Sequence, residues 1–195
     1  MPKIYMVRHG KAAAGWDADR DPGLDDTGWQ QAHAVAGELV QGIERPLATL
    51  SSPLRRCRET AEPLAGTWGG PLVIEPRVAE VPSPIEDLQV RTDWLREVMA
   101  GTWEELFAHP KSLDADHSVD FRAWRQGVVD AVKNLKEDTV IFSHFIAINV
   151  VVGAALGDDR VVVFRPDNCS VTVFDTDGGG LSVVSQGREA ETTVN

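Results

Sequence analysis

The chain has 195 residues, enough for one substantial hydrophobic core and only marginally enough for two domains. An apolar content of 43% and a charged content of 25% are typical of a soluble globular protein. The net charge of −11 argues against nucleic acid as the main partner but leaves room for a small phosphorylated ligand, which needs only a local basic cluster.

The first predicted element is a buried strand at residues 3–7, where mostly apolar residues of β-forming type follow one another. Arg8 and His9 come directly after it. In open α/β sheets, ligands bind beyond the carboxyl ends of the strands. Gly10 then permits a sharp turn or the close approach of a ligand. This pattern suggests His9 as a nucleophile and Arg8 as a residue that holds an anion beside it.

A polar loop at residues 12–26 precedes a helix for which Thr27 is the predicted N-cap, with Gln30 completing a capping box. A second strand is predicted at residues 47–51, and a helix should begin at Ser52 and Pro53, with proline at the first helical position. The first two turns of that helix, where the backbone N–H groups and the helix dipole favour an anion, carry Arg55, Arg56 and Arg58.

A third strand at residues 71–75 is followed by a loop that contains Glu80. A capping box at residues 83–86 predicts the start of a helical region rich in large apolar residues. We interpret residues 83–117 as a helical insertion or lid. A long helix should follow, with Asp116 or Ser118 as its N-cap.

The fourth strand, at residues 139–143, also runs into a histidine, His144, and the next helix should extend to Leu156 and end at Gly157. A hairpin is predicted from residues 170–175 and 181–186, and residues 187–195 are expected to form a loose tail. The sequence thus predicts one α/β domain over residues 1–195, with a mostly parallel central sheet flanked by helices. In such a sheet the ends of three strands would place two histidines and two arginines at one edge, a set that suits a phosphoryl group.

Four segments, in this order, resemble the histidine phosphatase superfamily, also called phosphoglycerate mutase-like. They are Arg8-His9-Gly10 after the first strand, residues 24–32 (LDDTGWQQA), residues 52–61 (SPLRRCRETA), and the strand that leads to His144. The tripeptide alone is weak evidence, but four ordered motifs, each at an expected element boundary, make a specific signal.

The resemblance implies that His9 becomes phosphorylated, that Arg8, Arg56 and His144 bind the phosphoryl oxygens, and that an acid, Glu80, protonates the leaving group. Two further glutamates lie close enough to compete with Glu80 for that role: Glu75 and Glu86. The implied mechanism is ping-pong, with Glu80 later activating the water that hydrolyses the phosphohistidine. Neither a metal nor a cofactor is expected, because the histidines have no metal-ligand spacing.

The predicted function is hydrolysis of a small phosphorylated metabolite by a phosphomonoesterase of the histidine acid phosphatase type. Phosphoglycerate mutase is an alternative, although residues 11–15 (KAAAG) lack the Ser and Asn that mutases of the family usually carry there. Lys11-Ala12 is similar to a branch of which some members act on phosphohistidine proteins. An inactive member that serves as a binding module is a further alternative, against which the intact set of site residues argues.

The remaining features suggest a cytoplasmic protein. Cys57 and Cys169 do not make a disulfide framework, and we expect them to be reduced. No signal peptide is expected, and the longest apolar stretch, residues 146–156, is too short to span a bilayer. The expected partner is the phosphorylated substrate, with neither nucleic acid nor membrane, and a homodimer is one option for the assembly.

Overall fold

Strand β1 (Lys3–Arg8) lies inside a six-stranded sheet, and its side chains Ile4, Met6 and Val7 are fully buried. The computed structural model describes residues 1–15, 17–108, 119–177 and 179–190. The other strands are β2 (Ala48–Ser51), β3 (Leu72–Ile74), β4 (Thr139–Ser143), β5 (Val171–Thr176) and β6 (Leu181–Ser185). The spatial order is β3-β2-β4-β1-β5-β6.

The strands β3, β2, β4 and β1 run parallel to their neighbours, and β5 and β6 add an antiparallel edge. Arg8 pairs with Ser143 and Ser51 pairs with Phe142, so β1, β2 and β4 end at the same edge of the sheet. All residues of β4 are buried, as expected for a strand in the middle of a parallel sheet. The predicted α/β fold with a mostly parallel sheet is confirmed.

Helices cover both faces of this sheet. They are α1 (Asp26–Gly42), α2 (Arg55–Trp68), α3 (Leu88–Ala100), α4 (Trp103–Ala108), α5 (Phe121–Lys133) and α6 (Phe145–Leu156). A short 3-10 helix at Pro76–Val78 follows β3. Side chains of α1 and α2 form one hydrophobic cluster with Val7 and Phe142, and those of α3 to α6 form a larger one with Met6 and Ile141. Successive side chains of β1 and β4 therefore point to opposite faces of the sheet and pack into two different hydrophobic cores.

Two predicted helix starts are wrong. Asp25, not Thr27, is the N-cap of α1, and its carboxylate accepts a hydrogen bond from the N–H of Gly28 at 2.7 Å. The capping box at residues 83–86 does not form, and α3 begins later with Asp87 as its N-cap. In α1 the carboxylate lies two residues before the predicted hydroxyl cap, and in α3 it lies four residues after it. An aspartate is an equally favoured cap, and its charge also interacts favourably with the helix dipole.

The helix after β2 also starts later than predicted. Leu54 is its N-cap and Pro53 precedes it, because the Ser52 hydroxyl accepts the Leu54 N–H at 3.2 Å and holds the chain in a turn. The N-cap of α5 is Asp120, whereas the predicted candidates Asp116 and Ser118 lie outside the described residues.

The part of the predicted insertion that is described contains α3 and α4, whose buried side chains Trp94, Val98 and Trp103 belong to the larger core. Residues 109–117 lie outside the described part, as do residues 191–195 of the predicted tail. Residues 187–190 are not loose, since the N–H of Ala190 donates to the Arg165 carbonyl at 2.8 Å. Within the described segments, every helix is too short or too polar to cross a membrane.

Candidate active site

The ends of β1, β2 and β4 bring four of the predicted site residues together. Arg8 ends β1 and His9 follows it, while His144 follows β4 and is the N-cap residue of α6. Arg56 lies in the first turn of α2, a short turn after β2. The rings of His9 and His144 have their centroids 5.3 Å apart.

The contacts of His9 define its tautomer. Its Nδ1 lies 2.8 Å from the carbonyl oxygen of Gly10, so Nδ1 carries the hydrogen and donates it. Nε2 lies 3.2 Å from Nε of Arg56, and since a guanidinium can only donate, Nε2 presents its lone pair. Burial, together with the positive charges of Arg56 and Arg8, holds the pKa of His9 well below its usual range. The result is a neutral imidazole with an unprotonated nitrogen.

The backbone on both sides of His9 is fixed by side chains from other elements. Thr60 of α2 accepts the N–H of Gly10 at 3.0 Å and donates its own hydroxyl to the carbonyl of Arg56 at 2.6 Å. Asn168 donates from Nδ2 to the His9 carbonyl at 2.9 Å. These contacts fix the position of the His9 imidazole relative to the Arg56 guanidinium.

Two glycines allow the turn after His9 to pack against the start of α1. A Cβ on Gly10 would lie 2.7 Å from the carbonyl oxygen of Gly28, and a Cβ on Gly28 would lie 2.1 Å from the carbonyl oxygen of Lys11. The N–H of Lys11 also donates to Oε1 of Gln31 at 2.8 Å. The approach of the two backbones explains why both positions are glycine in the motifs that the sequence singled out.

His144 is fully buried and is held by three side chains. Nη2 of Arg56 lies 3.1 Å from its Nδ1, so Nδ1 accepts and the ring hydrogen sits on Nε2. Nε2 donates to the Ser52 hydroxyl at 2.7 Å, and the Cys57 Sγ lies 3.3 Å from the same nitrogen. Burial, and then the positive charge of Arg56, hold the pKa of His144 well below its usual range.

Arg8 is buried with part of its guanidinium unused. Nη1 donates to the carbonyl of Pro166 at 2.9 Å, and Cζ lies 5.2 Å from the centre of the Phe145 ring. Nε has no partner within the described structure. Burial lowers the pKa of Arg8 to about 10. A buried cation with a free donor is a suitable ligand for an anion.

Glu80 lies in the loop after the 3-10 helix, against the N-terminus of α6. Its carboxylate accepts the N–H of Val81 at 3.0 Å and that of Ile146 at 3.4 Å. Burial raises the pKa of Glu80, although both amides and the nearby Arg56 and Arg8 oppose the rise. A carboxyl with a raised pKa in this position can serve as a proton donor.

The two competing glutamates take other positions. Glu75 forms an ion pair with Arg77 at 2.6 Å, which lowers the pKa of its carboxyl. Glu86 lies just before α3 and forms no capping box, and its backbone carbonyl accepts a hydrogen bond from Arg20. Of the three candidates, only Glu80 lines the cavity described next.

A cavity of about 430 Å³ opens at this edge of the sheet. Arg8, His9, Arg56 and Glu80 line it, whereas His144 is fully buried outside the lining and contacts the lining residue Arg56. Further lining residues come from the loop after His9, from α3 and α6, and from the segments before β5 and after β6. Among them are Lys11, Arg20, Asp25, Arg91, Phe145, Asp167, Asn168 and Ala190.

Most of these lining residues were missed by the sequence interpretation. Asn168 stands two residues before the predicted hairpin and Arg91 is an isolated charge on a helix, so neither belongs to a motif. Cys169 has a φ of 54°, and its N–H donates to the Arg8 carbonyl at 3.0 Å. A left-handed conformation is uncommon for a residue other than glycine, and it marks this segment as held in place by its contacts. The amino-acid sequence gives no indication of that conformation. Arg55, which precedes Arg56 in the same turn, is exposed and pairs with Glu59 at 2.6 Å.

The residues at the site are suited to oxyanions rather than to metal ions. Across the described residues there is no cluster of three or more histidines, cysteines or acids that could hold a metal. The arrangement offers instead a neutral imidazole nitrogen, two buried guanidinium groups and a carboxyl with a raised pKa. Such a set can place a nucleophile against a phosphoryl group, bind its oxygens and supply a proton.

Comparison with known proteins gives a family-level match. The model of the histidine phosphatase superfamily, branch 1, matches residues 4–188. Probable phosphoglycerate mutase GpmB from Photorhabdus laumondii is 30% identical over 194 residues, covering 90% of this chain and 85% of that protein. The protein of the same name from Erwinia tasmaniensis is 31% identical over 196 residues, with the same coverages of 90% and 85%.

Solved structures share the fold at lower identity. A mutant phosphoserine phosphatase from Entamoeba histolytica in complex with phosphoserine has a TM-score of 0.71 and 20% identity, with 95% of this chain and 96% of that chain covered. A mycobacterial glucosyl-3-phosphoglycerate phosphatase in complex with VO3 has a TM-score of 0.63 and 20% identity, with coverages of 97% and 100%.

Proposed function

The chain belongs to the histidine phosphatase superfamily, branch 1, whose phosphatases and mutases transfer phosphoryl groups, and we propose that it is a phosphatase acting on a small phosphorylated metabolite through a phosphohistidine on His9. The observation that carries this proposal is the tautomer of His9. Its Nδ1–H is held by the Gly10 carbonyl and its Nε2 lone pair faces Arg56 in the cavity. That nitrogen is the nucleophile.

In the first step, Nε2 of His9 attacks phosphorus, an N–P bond forms, and the bond from phosphorus to the ester oxygen breaks. Glu80 gives its proton to the departing oxygen, in keeping with its raised pKa. In the second step, Glu80 as a carboxylate takes a proton from water, which attacks phosphorus and releases phosphate and His9. Atoms and charge balance without a further reactant.

The equatorial phosphoryl oxygens are bound by Arg8, Arg56 and His144 in this proposal. Arg8 has an unpartnered Nε, and Arg56 already directs donors toward both imidazoles. Because these guanidinium groups are buried, their interaction with a developing negative charge is screened less than in water. The ring of His144 lies 5.3 Å from that of His9 between centroids, and its Nδ1 holds Nη2 of Arg56 at 3.1 Å.

The proposed substrate class is small phosphorylated metabolites. The cavity of about 430 Å³ suits a compact ligand. The solved structures of similar fold include complexes of other proteins with phosphoserine and with 3-phosphoglyceric acid. A phosphate ester is favoured over a phosphohistidine protein, because an alkoxide needs a proton from Glu80 more than a ring nitrogen does.

Mutase activity is the second candidate, supported by the names of the curated relatives. The residues after Gly10, Lys11 to Gly15, favour the phosphatase, since they lack the Ser and Asn that the resemblance associates with mutases. An inactive binding module is the remaining alternative, disfavoured by the intact geometry around His9.

The test uses purified protein and two assays. With p-nitrophenyl phosphate at mildly acidic pH, the wild type should release p-nitrophenol and the His9→Ala variant should not. With 3-phosphoglycerate, the phosphatase predicts free phosphate, whereas a mutase yields 2-phosphoglycerate. Equal turnover by wild type and His9→Ala, or none by either, would rule out the proposed phosphatase.

A further inference from the structure

The sequence motif at residues 24–32 contributes a side chain to the turn after His9. Gln31 of this motif lies in the second turn of α1 and is half-buried, and its Oε1 accepts the N–H of Lys11 at 2.8 Å. Within the described part of the chain, Gln31 does not line the cavity. Any effect of Gln31 on the reaction must therefore pass through the turn that it contacts.

The N–H that Gln31 holds belongs to the same peptide unit as the carbonyl that contacts His9. The C=O of Gly10 and the N–H of Lys11 lie in one plane and point in opposite directions, because the peptide bond is planar and trans. Holding the N–H toward Gln31 therefore directs the C=O toward Nδ1 of His9, 2.8 Å away. Arg56 contacts the other ring nitrogen, Nε2, so the contact at Nδ1 depends on this carbonyl.

The local backbone does not hold this peptide unit by itself, since Gly10 has few steric restraints on its rotation. The unit before it, which joins His9 to Gly10, is held at both ends by side chains. Asn168 donates to its C=O at 2.9 Å, and its N–H donates to Thr60 at 3.0 Å. Gln31 provides the corresponding contact for the next unit.

We propose that Gln31 is a positioning residue for the nucleophile: by holding the Gly10–Lys11 peptide unit, it keeps a carbonyl on the Nδ1–H of His9. This role rests on the proposed function, in that Nε2 of His9 is taken to attack phosphorus. As the N–P bond forms, positive charge develops on the ring, and the hydrogen bond from Nδ1 becomes charge-assisted and stronger. Loss of the Gln31 contact should therefore slow phosphorylation of His9 without weakening the binding of phosphate.

Three single variants isolate the contact. Gln31→Leu has a similar size but cannot accept the Lys11 N–H, whereas Gln31→Glu keeps an acceptor at the same place. Gln30→Leu is the matched control, because Gln30 lies on the same helix and is exposed.

The first measurement is steady-state hydrolysis of p-nitrophenyl phosphate, for which kcat/KM of a ping-pong enzyme reports phosphorylation of His9. Gln31→Leu should lower kcat/KM by about tenfold to a hundredfold, the equivalent of one charge-assisted hydrogen bond. Gln31→Glu and Gln30→Leu should stay close to the wild type. The Kd for inorganic phosphate, measured by calorimetry, should be the same in all four proteins.

The second measurement reads the hydrogen bond directly and needs no turnover. In NMR spectra of the ¹⁵N-labelled protein at neutral pH, the Nδ1–H signal of His9 is assigned by its absence from His9→Ala. It should be shifted downfield and exchange slowly with water in the wild type, in Gln31→Glu and in Gln30→Leu. In Gln31→Leu it should move upfield or broaden through exchange. The ring signals of His144 should be unchanged, which shows that the site is folded.

Two results would overturn the role of Gln31. One is an Nδ1–H signal in Gln31→Leu that matches the wild type, or a loss in Gln31→Glu as large as that in Gln31→Leu. The other is a parallel loss of phosphate binding and of kcat/KM in Gln31→Leu, which would indicate a structural effect alone.

These outcomes are separable from those of the proposed function. If the wild type fails to hydrolyse p-nitrophenyl phosphate but the Nδ1–H signal depends on Gln31, the positioning of His9 stands and the phosphatase does not. If hydrolysis depends on His9 but the signal does not respond to Gln31→Leu, the phosphatase stands and the role of Gln31 is wrong.

Discussion

Nε of Arg56 lies 3.2 Å from Nε2 of His9, in a contact in which only the guanidinium can donate. The protonation state of His9, the proposed nucleophile, therefore depends on Arg56, which is also proposed to bind the substrate. The same guanidinium donates from Nη2 to Nδ1 of His144 at 3.1 Å. Burial, and then the positive charge of Arg56, therefore keep both imidazoles neutral.

The pH dependence of kcat/KM for an alkyl phosphate follows from two shifted groups. His9 must be neutral to attack, and its pKa lies well below the ordinary value of 6.5. The decrease of kcat/KM that accompanies protonation of His9 should therefore occur only at pH values below 6.5. Glu80 must be protonated, and its pKa is raised above 4.5, so the rate should decline as the pH rises through that raised pKa. A pH–rate profile checks this, and a rate that increases steadily into alkaline solution would contradict it.

Glu80→Gln should separate substrates by their leaving groups. Removing a general acid costs about a hundredfold to ten-thousandfold where the leaving oxygen needs a proton. The loss should be large for alkyl phosphates and much smaller for p-nitrophenyl phosphate, whose phenolate leaves without help. Glu75→Gln is the matched control, because Glu75 is occupied by Arg77 away from the cavity. Uniform slowing of all substrates by Glu80→Gln would argue against a general acid.

Ser52→Ala should remove a hydrogen bond of His144 while leaving the residues that line the cavity unchanged. The Ser52 hydroxyl accepts the Nε2–H of His144 at 2.7 Å, and its loss would leave a buried donor short of its partner at a cost of about 1–3 kcal/mol of unfolding free energy. With the ring hydrogen no longer held on Nε2, kcat/KM should fall by about tenfold, the equivalent of one hydrogen bond.

Ser51→Ala provides the comparison for that variant. Its hydroxyl is also buried but donates to the Ser52 carbonyl at 2.9 Å and does not contact His144. Chemical denaturation and steady-state kinetics should show loss of stability in both variants and a change in the pH profile only in Ser52→Ala. An unchanged profile in Ser52→Ala would mean that the serine has a structural role alone.

Gly28→Ala should be destabilising by about 1–3 kcal/mol, because the new methyl would lie 2.1 Å from the Lys11 carbonyl and force the turn after His9 to move. Gly37→Ala in the same helix meets nothing within 4 Å and should stabilise by about 0.5–1 kcal/mol. Urea denaturation of both variants tests the contrast. Equal effects would show that the contact between the two backbones does not constrain the turn.

The sequence allowed the sheet and the strand ends to be predicted, because both depend on local patterns. Continuous apolar runs end in Arg8 and in Ser143 before His144, and a parallel sheet necessarily brings such ends to one edge. The helix starts were harder to predict, since Asp25 and Thr27 are both good caps and the choice depends on how α1 meets the turn after His9.

The rest of the site depends on contacts between residues far apart in the chain. Thr60 reaches Gly10 across 50 positions and Asn168 reaches His9 across 159, and no local pattern signals either contact. The position of Arg91 in the cavity depends on how α3 packs against the sheet. Glu75 pairs with Arg77 while Glu80 lines the cavity, and the positions of the two glutamates in the sequence do not signal this difference.

The most direct test of a phosphohistidine intermediate on His9 is to trap the phosphorylated enzyme. Wild-type protein mixed rapidly with substrate and quenched in alkali, which preserves phosphohistidine, should carry one phosphoryl group, located at His9 by peptide mass spectrometry. His9→Ala should carry none. Steady turnover with no phosphorylated protein, or a phosphoryl group on a residue other than His9, would contradict the proposed mechanism.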